Sequence, residues 1–308
     1  MGLILVFDVF GIVVLEHNIK KVNEMDNATH ALLGAAAGIV VGDIFSESIL
    51  SLAVCGAIAG QLPDLDILGS KGDDVYYMKH HRAHSHALIF TPIMAVIFAA
   101  VYAVFSGASF AALFWSSFWA LILHIGTDIL NSYGTYALWP FKRKRLAADI
   151  LAICDIYILV ILAGGVLGSF LWRIECIYWA WTGFVFYIIL RILLRQKAKR
   201  IVLRDMRRNN IWQIVIVPKM YLFNWSYIAM SDEDYLLGQV HLHTNRTVLL
   251  AKYPRPILEV WENSERMKAF MTFSRFPYCY ERNDEKVWMD MRYGLSKKTE
   301  GPLRRKKK

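Results

Sequence analysis

The sequence predicts an α-helical membrane protein that carries a small C-terminal α+β domain. Hydrophobic residues make up 56% of the 308-residue chain, and they lie in long blocks. Blocks of about 20 apolar residues are long enough to cross a bilayer core as helices. The net charge of +9 is concentrated in short clusters between the blocks and in the C-terminal tail. This pattern fits the excess of Lys and Arg in cytoplasmic loops and argues against a nucleic-acid partner.

The first 24 residues differ from the rest of the chain. Their apolar stretch resembles a short signal segment, but it lacks a basic start and a small-residue cleavage site. We therefore expect residues 1–24 to be a non-native or flexible extension, with Met25 as the native start. The alternative is a genuine apolar N-terminal segment.

Residues 31–62 predict a pair of half-height or re-entrant helices. Polar residues at 42–43 and 46–48 divide this apolar stretch into two halves. Each half has only about a dozen residues, which is too short to cross a bilayer core. Four longer apolar runs follow, and each predicts a spanning helix: 87–105, 110–130, 150–172 and 177–194.

The basic residues occur in alternate loops, which predicts the orientation. They precede the first long run, lie between the second and third at Lys142–Arg145, and follow the fourth, whereas the intervening loops carry little charge. Because basic loops stay in the cytoplasm, the C-terminal domain is predicted to be cytoplasmic. We therefore divide the chain into a membrane-embedded domain at 25–195 and a cytoplasmic α+β domain at 196–308. In the latter, four segments within 212–252 and one at 287–293 predict strands, and 256–273 predicts a helix.

Candidate metal ligands are concentrated between Gln61 and His86. Asp64 and Asp66 occur in the sequence LPDLD, and side chains two apart in an extended segment could face one target. Four histidines follow within a seven-residue window: His80, His81, His84 and His86. Carboxylates and imidazoles together suit zinc, manganese or iron. The alternative is that these residues mark a hydrated membrane surface.

A second group of polar residues lies where later runs return to the same side of the membrane. His124 and Asp128 share one helix face, and Asp155 lies near the start of the third run. Ionisable residues inside a membrane are costly and usually pair or bind something. We therefore expect them to join the first group, together with His30 from the N-terminal helix pair. The alternative is a set of separate helix–helix hydrogen bonds.

Four motifs follow one another along the chain: MDNATH at 25–30, LPDLD at 62–66, HRAHSH at 81–86 and HIGTDILNSYGTYALWPF at 124–141. Together they resemble the bacterial inner-membrane metal-dependent hydrolase family, the YdjM-like group. The resemblance implies a bacterial inner-membrane location, and it implies a polar site with Asp155 as a further candidate. The site residues that it implies are His30, Asp64, Asp66, His81, His86, His124 and Asp128. The family usually reads HRG-x-THS where this chain reads HRAHSHA, which leaves His84 open as an extra ligand.

Chemistry suggests a role for each candidate. We expect one or two divalent ions, zinc first with manganese or iron as alternatives. The preferred ligands are Asp64, Asp66, His86, His124 and Asp128, followed by His30 and His81. Asp155 could act as a general base or orient a ligand. Arg82 could clamp a phosphate through its forked guanidinium, or it could simply anchor the loop at the membrane surface.

These residues predict a membrane-bound metal-dependent hydrolase that acts at the cytoplasmic membrane face. A phospholipid or a lipid-linked phosphate or ester is the expected substrate class, because basic residues lie close to the site. Two alternatives remain open. One is a membrane-tethered regulatory or adaptor protein whose cytoplasmic domain binds a partner or DNA, and the other is a transporter that uses the intramembrane acids.

Overall fold

The computed structural model describes residues 4–8, 11–14, 19–70, 74–82, 84–207, 210–254, 265–282 and 285–292. The chain forms two compact units. We call residues 23–190 the membrane unit, and residues 1–22 with 191–308 the sheet unit. The predicted fold class is confirmed, since the first unit consists of apolar helices and the second contains small β-sheets.

Seven helices precede the main sheet, and all but the short third one correspond to the apolar runs of the sequence. They are α1 (Ile19–Phe45), α2 (Ile49–Ala59), α3 (Asp74–His80), α4 (Thr91–Ser106), α5 (Phe110–Leu130), α6 (Ile156–Leu171) and α7 (Glu175–Asp205). Three 3₁₀ segments complete this part of the chain: Leu62–Ser70, His84–His86 and Leu88–Phe90. Among the described residues, five helical segments are long and apolar enough to cross a membrane: 27–45, 49–69, 88–106, 110–130 and 175–205.

Several helical segments differ in length from the sequence expectation, including 49–69, whose 21 residues are long enough to cross a membrane, and α7, which has 31 residues. The first helix of the expected half-height pair has an apolar part of 19 residues, 27–45, because the polar residues near position 43 end the helix and do not interrupt it. The third apolar run is helical over only 16 residues. Residues 150–155 precede that helix as an irregular segment, and Asp155 caps its N-terminus by accepting from the backbone N–H of Tyr157.

Helices α1 and α2 approach closely through glycines. A Cβ atom at Gly34 would overlap the carbonyl of Gly56, and one at Gly38 would also overlap the backbone of α2. Small residues four apart are a common means of close helix contact in membranes. At the end of the pair, a Cβ atom on Gly60 would lie 2.7 Å from the carbonyl oxygen of His30. The packing therefore brings His30 level with the end of α2.

Helix α5 packs on α2 through small polar side chains. Ser116 donates a hydrogen bond of 3.0 Å to the carbonyl oxygen of Leu52, and Sγ of Cys55 lies 3.5 Å from Oγ of Ser117. Buried residues from α1, α2, α4 and α5 form one core cluster, namely Val41, Leu52, Cys55, Ala99, Ala112 and Leu113. These contacts set the height at which the last turns of α5 meet the end of α2.

The sheet unit contains two antiparallel four-stranded sheets. One has the order β3-β4-β5-β6, and the other has the order β2-β1-β8-β7. The first comprises β3 (Gln213–Pro218), β4 (Asn224–Met230), β5 (Asp234–His241) and β6 (Arg246–Pro254). The second comprises β1 (Ile4–Asp8), β2 (Gly11–Val14), β7 (Pro277–Arg282) and β8 (Glu285–Asp290), and helix α8 covers Glu265–Phe273. Buried Trp225 and Tyr227 on β4 pack with Ala198 and Val202 of α7.

Most elements of this unit follow the sequence prediction. The four strands within 212–252 are present, and the last predicted strand is β8, which ends at Asp290. The predicted helix at 256–273 is present from Glu265 onward, and residues 256–264 lie outside the described residues. Strand β7 was not predicted, nor was a role for residues 4–14, where β1 pairs with β8.

Candidate metal centre

Four side-chain atoms from three parts of the chain converge in the membrane unit. We call them the four-atom cluster: Oδ1 of Asp64, Nε2 of His86, Nε2 of His124 and Oδ2 of Asp128. Nε2 of His86 lies 3.0 Å from the nitrogen of His124, 3.3 Å from the oxygen of Asp64 and 3.2 Å from that of Asp128. Nε2 of His124 lies 3.7 Å from the Asp64 oxygen and 3.8 Å from the Asp128 oxygen.

The neighbours of His124 define which nitrogen carries its proton. Nδ1 of His124 lies 2.7 Å from the carbonyl oxygen of Gly60. A carbonyl oxygen only accepts, so Nδ1 holds the proton, and the neutral ring presents a lone pair at Nε2. His124 therefore faces the four-atom cluster as an acceptor.

The four-atom cluster has too few protons for its acceptors. Oδ1 of Asp64 and Oδ2 of Asp128 are buried, and neither accepts a hydrogen bond of good geometry. Nε2 of His86 can carry at most one proton, although three acceptor atoms lie within 3.3 Å of it. Burial lowers the pKa of His86, but the adjacent carboxylates of Asp128 and Asp64 outweigh it and raise the pKa to about 9. The buried site thus demands positive charge at its centre.

A divalent metal fits this arrangement. Four atoms placed tetrahedrally at about 2.1 Å from a zinc ion would lie about 3.4 Å from one another. The five separations within the four-atom cluster that involve an imidazole nitrogen range from 3.0 to 3.8 Å. Two imidazole nitrogens with two carboxylate oxygens are also a donor set that zinc, manganese or iron accepts.

Arg82 lies beside this cluster and pairs with one of its carboxylates. Its backbone has a φ of 60°, and its guanidinium Nη2 lies 2.9 Å from Oδ1 of Asp128. The same guanidinium donates to Oδ1 of Asn131 at 3.4 Å, and the side chain is buried. His30 approaches from α1, where its ring stacks on His124 with centroids 3.7 Å apart and its Nε2 lies 3.7 Å from Oδ1 of Asp128.

Asp66 occupies a different position from Asp64. Residues 62–70 form a 3₁₀ helix, so the expected extended segment is wrong, and the two carboxylates meet different partners. Asp66 accepts from Nδ1 of His81 at 2.9 Å, from the backbone N–H of Arg82 at 3.1 Å and from Oγ of Ser85 at 2.6 Å. One oxygen of Asp66 and one nitrogen of His81 still lie within 4.8 Å of an Asp64 oxygen.

Two of the predicted candidates have other surroundings. The exposed ring of His84 packs edge-on against Trp139 with centroids 4.5 Å apart. Asp155 caps helix α6, and the hydroxyl of Tyr187 lies 2.8 Å from both of its oxygens. The catalytic role of Asp155 stays a prediction, and the side chain of His80 lies outside the described residues.

Sequence reasoning missed two groups that hold the imidazoles. The carbonyl of Gly60 orients His124, and the hydroxyl of Ser85 lies 2.9 Å from Nδ1 of His86. Ser85 stands beside His86 in HRAHSH, but only coordinates reveal which nitrogen it meets. A glycine at the end of α2 likewise carries no signal that its carbonyl faces a histidine.

The fold and the site define an integral membrane protein with a buried carboxylate–imidazole centre among its helices. The chain belongs to the YdjM inner membrane protein family, whose model matches residues 25–198. This range includes all four residues of the four-atom cluster. Family membership and the apolar helices give the protein an inner-membrane location.

One relative of known sequence covers most of the chain. The chain is 27% identical over 270 residues to "Uncharacterized protein YfhP" of Bacillus subtilis (strain 168), covering 81% of this chain and 80% of the relative. No solved structure matches the chain. Neither the family description nor the relative's name states a reaction.

Proposed function

We propose that the chain is a membrane-bound metal-dependent hydrolase that acts at the cytoplasmic membrane face on a membrane lipid. The observation that carries this proposal is the four-atom cluster, in which the two imidazole nitrogens lie 3.0 Å apart and each lies 3.2–3.8 Å from the two buried carboxylate oxygens. Buried polar atoms without partners are rare and call for an explanation such as a bound ion. The positive-inside bias supports a cytoplasmic site and a cytoplasmic sheet unit.

A single divalent ion best fits the charges, with zinc as the first choice. Asp64, Asp66 and Asp128 bring three negative charges, and Arg82 contributes one positive charge, so neutral histidines leave two negative charges. One dication would balance them, as buried charges require. The second oxygen of Asp128 pairs with Arg82, and Asp66 accepts three hydrogen bonds, so these atoms have other partners.

The residues around that ion would have different roles. Asp64, His86, His124 and Asp128 would hold it, and Arg82 would hold Asp128 in place instead of clamping a phosphate. A bound divalent ion supplies Lewis-acid polarisation and lowers the pKa of coordinated water. The side chain of Asp64 is 9% exposed, whereas those of His86, His124 and Asp128 are fully buried, so a substrate would approach from the Asp64 side.

The surroundings of Asp64 suit an amphiphilic substrate. Leu65 and Leu68, in the same 3₁₀ segment, are 50% and 72% exposed. The loop at 142–144 presents three exposed basic residues in the same unit. Apolar side chains beside a polar centre, with cations in the same unit, favour a lipid that bears a phosphate.

Metal content and lipid hydrolysis test this proposal together. Full-length protein purified in detergent should carry about one zinc, manganese or iron per chain, as a ligand set of this size requires. His124→Ala and Asp128→Asn should lose the metal, while the control His84→Ala should keep it. Wild-type protein should hydrolyse phosphatidic acid or phosphatidylglycerol in vesicles, and chelation should abolish this activity. Protein that binds none of these metals after reconstitution would refute the proposal.

One observation favours the adaptor alternative. Edge strand β6 carries three consecutive exposed apolar side chains, Val248, Leu249 and Leu250, and exposed edge strands are common sites of partner binding. The adaptor function predicts that Leu249→Lys abolishes the cellular role while His124→Ala preserves it. The hydrolase function predicts the reverse result.

A further inference from the structure

We infer that Ser85 is a positioning residue for the metal centre, because its hydroxyl links Asp66 to His86 and turns the lone pair of His86 Nε2 toward the four-atom cluster. This inference rests on the proposed function and adds a residue that the ligand set alone does not include. Its starting point is the chain of contacts from Asp66 through Ser85 to His86.

The first step concerns the proton of the Ser85 hydroxyl. Asp66 accepts from the backbone N–H of Arg82, which can only donate, and from Nδ1 of His81. An ionised carboxylate has no proton to give, so the contact of 2.6 Å between Ser85 Oγ and Asp66 Oδ2 uses the serine proton. The hydroxyl oxygen of Ser85 is then left as an acceptor.

The second step concerns the His86 ring. Nδ1 of His86 lies 2.9 Å from Ser85 Oγ, and with the serine proton committed to Asp66 the ring nitrogen must donate. The hydrogen bond at one ring nitrogen sets the state of the other, so Nε2 of a neutral His86 presents a lone pair. That atom lies within 3.3 Å of each of the other three members of the four-atom cluster.

The same direction of hydrogen bonding argues against Ser85 as a nucleophile. In a serine hydrolase the histidine accepts the hydroxyl proton, whereas here the hydroxyl accepts from the histidine. His124 has an equivalent restraint in the carbonyl of Gly60, which side-chain substitution cannot remove. Ser85 is therefore the restraint that a side-chain substitution removes directly.

The test compares zinc affinity in full-length Ser85→Ala and Ser85→Thr proteins in detergent, using a chromophoric chelator as competitor. Loss of a group that orients a ligand typically weakens metal binding by about 10–100-fold. We expect Ser85→Ala to show that loss and Ser85→Thr, which keeps the hydroxyl, to bind zinc like the wild type. Thermal unfolding of both metal-free variants verifies that they fold.

A spectroscopic measurement separates positioning from a general loss of structure. In zinc-loaded protein labelled with ¹⁵N-histidine, the Nδ1 proton of His86 should give a signal protected from exchange with water. This signal can be assigned to His86 if it is missing from the spectrum of the His86→Gln variant. The signal should exchange rapidly in Ser85→Ala and stay protected in Ser85→Thr.

These experiments distinguish failure of the inference about Ser85 from failure of the proposed function. Wild-type affinity in Ser85→Ala, or equal losses in both serine variants, would overturn the role of Ser85 and leave the metal centre intact. A wild-type protein that binds no zinc would instead remove the proposed function. Should Ser85→Ala fail to fold, Asp66→Asn would test the same chain one step earlier, and unchanged zinc affinity in that variant would also overturn the inference.

Discussion

Nε2 of His86 and Nε2 of His124 face each other across 3.0 Å in a fully buried site. Two imidazole nitrogens at this distance repel each other as lone pairs unless a proton or a cation lies between or beside them. One oxygen each of Asp64 and Asp128 lies within 3.3 Å of the His86 nitrogen. A positive charge placed among these atoms would therefore be stabilised by both carboxylates. A cation bound at this pair would therefore stabilise the membrane unit.

Zinc should stabilise the wild-type protein against unfolding. A ligand that binds only the folded state adds about 2.7 kcal/mol at 100 times its dissociation constant. We expect this gain in thermal unfolding of the detergent-solubilised wild type, and none in His86→Ala. Equal gains in both proteins would place the zinc at another site.

Arg82→Gln should destabilise the metal-free protein. The guanidinium lies 2.9 Å from Oδ1 of fully buried Asp128, and removing one partner of a buried ion pair typically costs about 3–5 kcal/mol. Denaturant unfolding of the variant measures the loss. The matched control is Arg143→Gln, which changes an exposed residue and should leave stability unchanged. A variant as stable as the control would contradict the role given to Arg82.

Gly60→Ala should disturb both the helix pair and the metal centre. The added Cβ atom would lie 2.7 Å from the carbonyl oxygen of His30, so α1 or the Gly60 carbonyl that orients His124 must move. We expect lower thermal stability together with weaker zinc binding. Gly126→Ala is the control, because a Cβ atom there meets nothing within 4 Å, and it should be neutral or stabilising by up to about 1 kcal/mol.

Asp155→Asn tests the general-base prediction. Both carboxylate oxygens contact the Tyr187 hydroxyl, and Oδ1 also caps helix α6, so its contacts indicate a structural role. We expect Asp155→Asn to leave zinc content and lipid hydrolysis unchanged. Tyr187→Phe removes the hydroxyl that contacts Asp155 and should lower the free energy of unfolding by about 1–3 kcal/mol. A fall in hydrolysis of about 10²–10⁴-fold in Asp155→Asn, with zinc retained, would instead identify the base.

Asp290→Asn should destabilise the sheet unit and leave zinc content unchanged. Burial acts to raise the pKa of Asp290, but the charge and hydrogen bonds of Arg292 outweigh it and lower the pKa to about 2. Because the folded value lies below the unfolded value of about 3.9, the ionised carboxylate stabilises the fold above that pH. This contribution is lost as the pH falls toward 2.

The measurement for Asp290 is denaturant unfolding of the full chain at several pH values. The difference between wild type and Asp290→Asn should be largest near neutral pH and should shrink between pH values of about 4 and 2. Asp232→Asn, which changes an exposed residue, serves as the control. If the stability difference between wild type and Asp290→Asn stayed constant with pH, the ion pair of Asp290 with Arg292 would not be its cause.

Sequence patterns predicted much of the fold and the composition of the site. Residues 110–130 were predicted as a spanning helix and form α5 with the same bounds, because continuous apolarity is a local property. His124 and Asp128 share one face of that helix and both join the four-atom cluster. The pairing of β1 with β8 was not predicted, since partners so far apart in sequence leave no local signal.

The sequence by itself determined the membrane class, most helix positions and the set of acids and imidazoles that could bind a metal. Tertiary structure decided which of their atoms meet. Asp64 faces two histidines while Asp66, two residues later, holds Ser85 and His81, because the segment is a 3₁₀ helix. The physical reason is the sequence distance over which each interaction acts. Helix formation depends on residues that are neighbours in the sequence. The meeting of side chains from different helices depends on close glycine contacts between those helices and on the direction of each hydrogen bond.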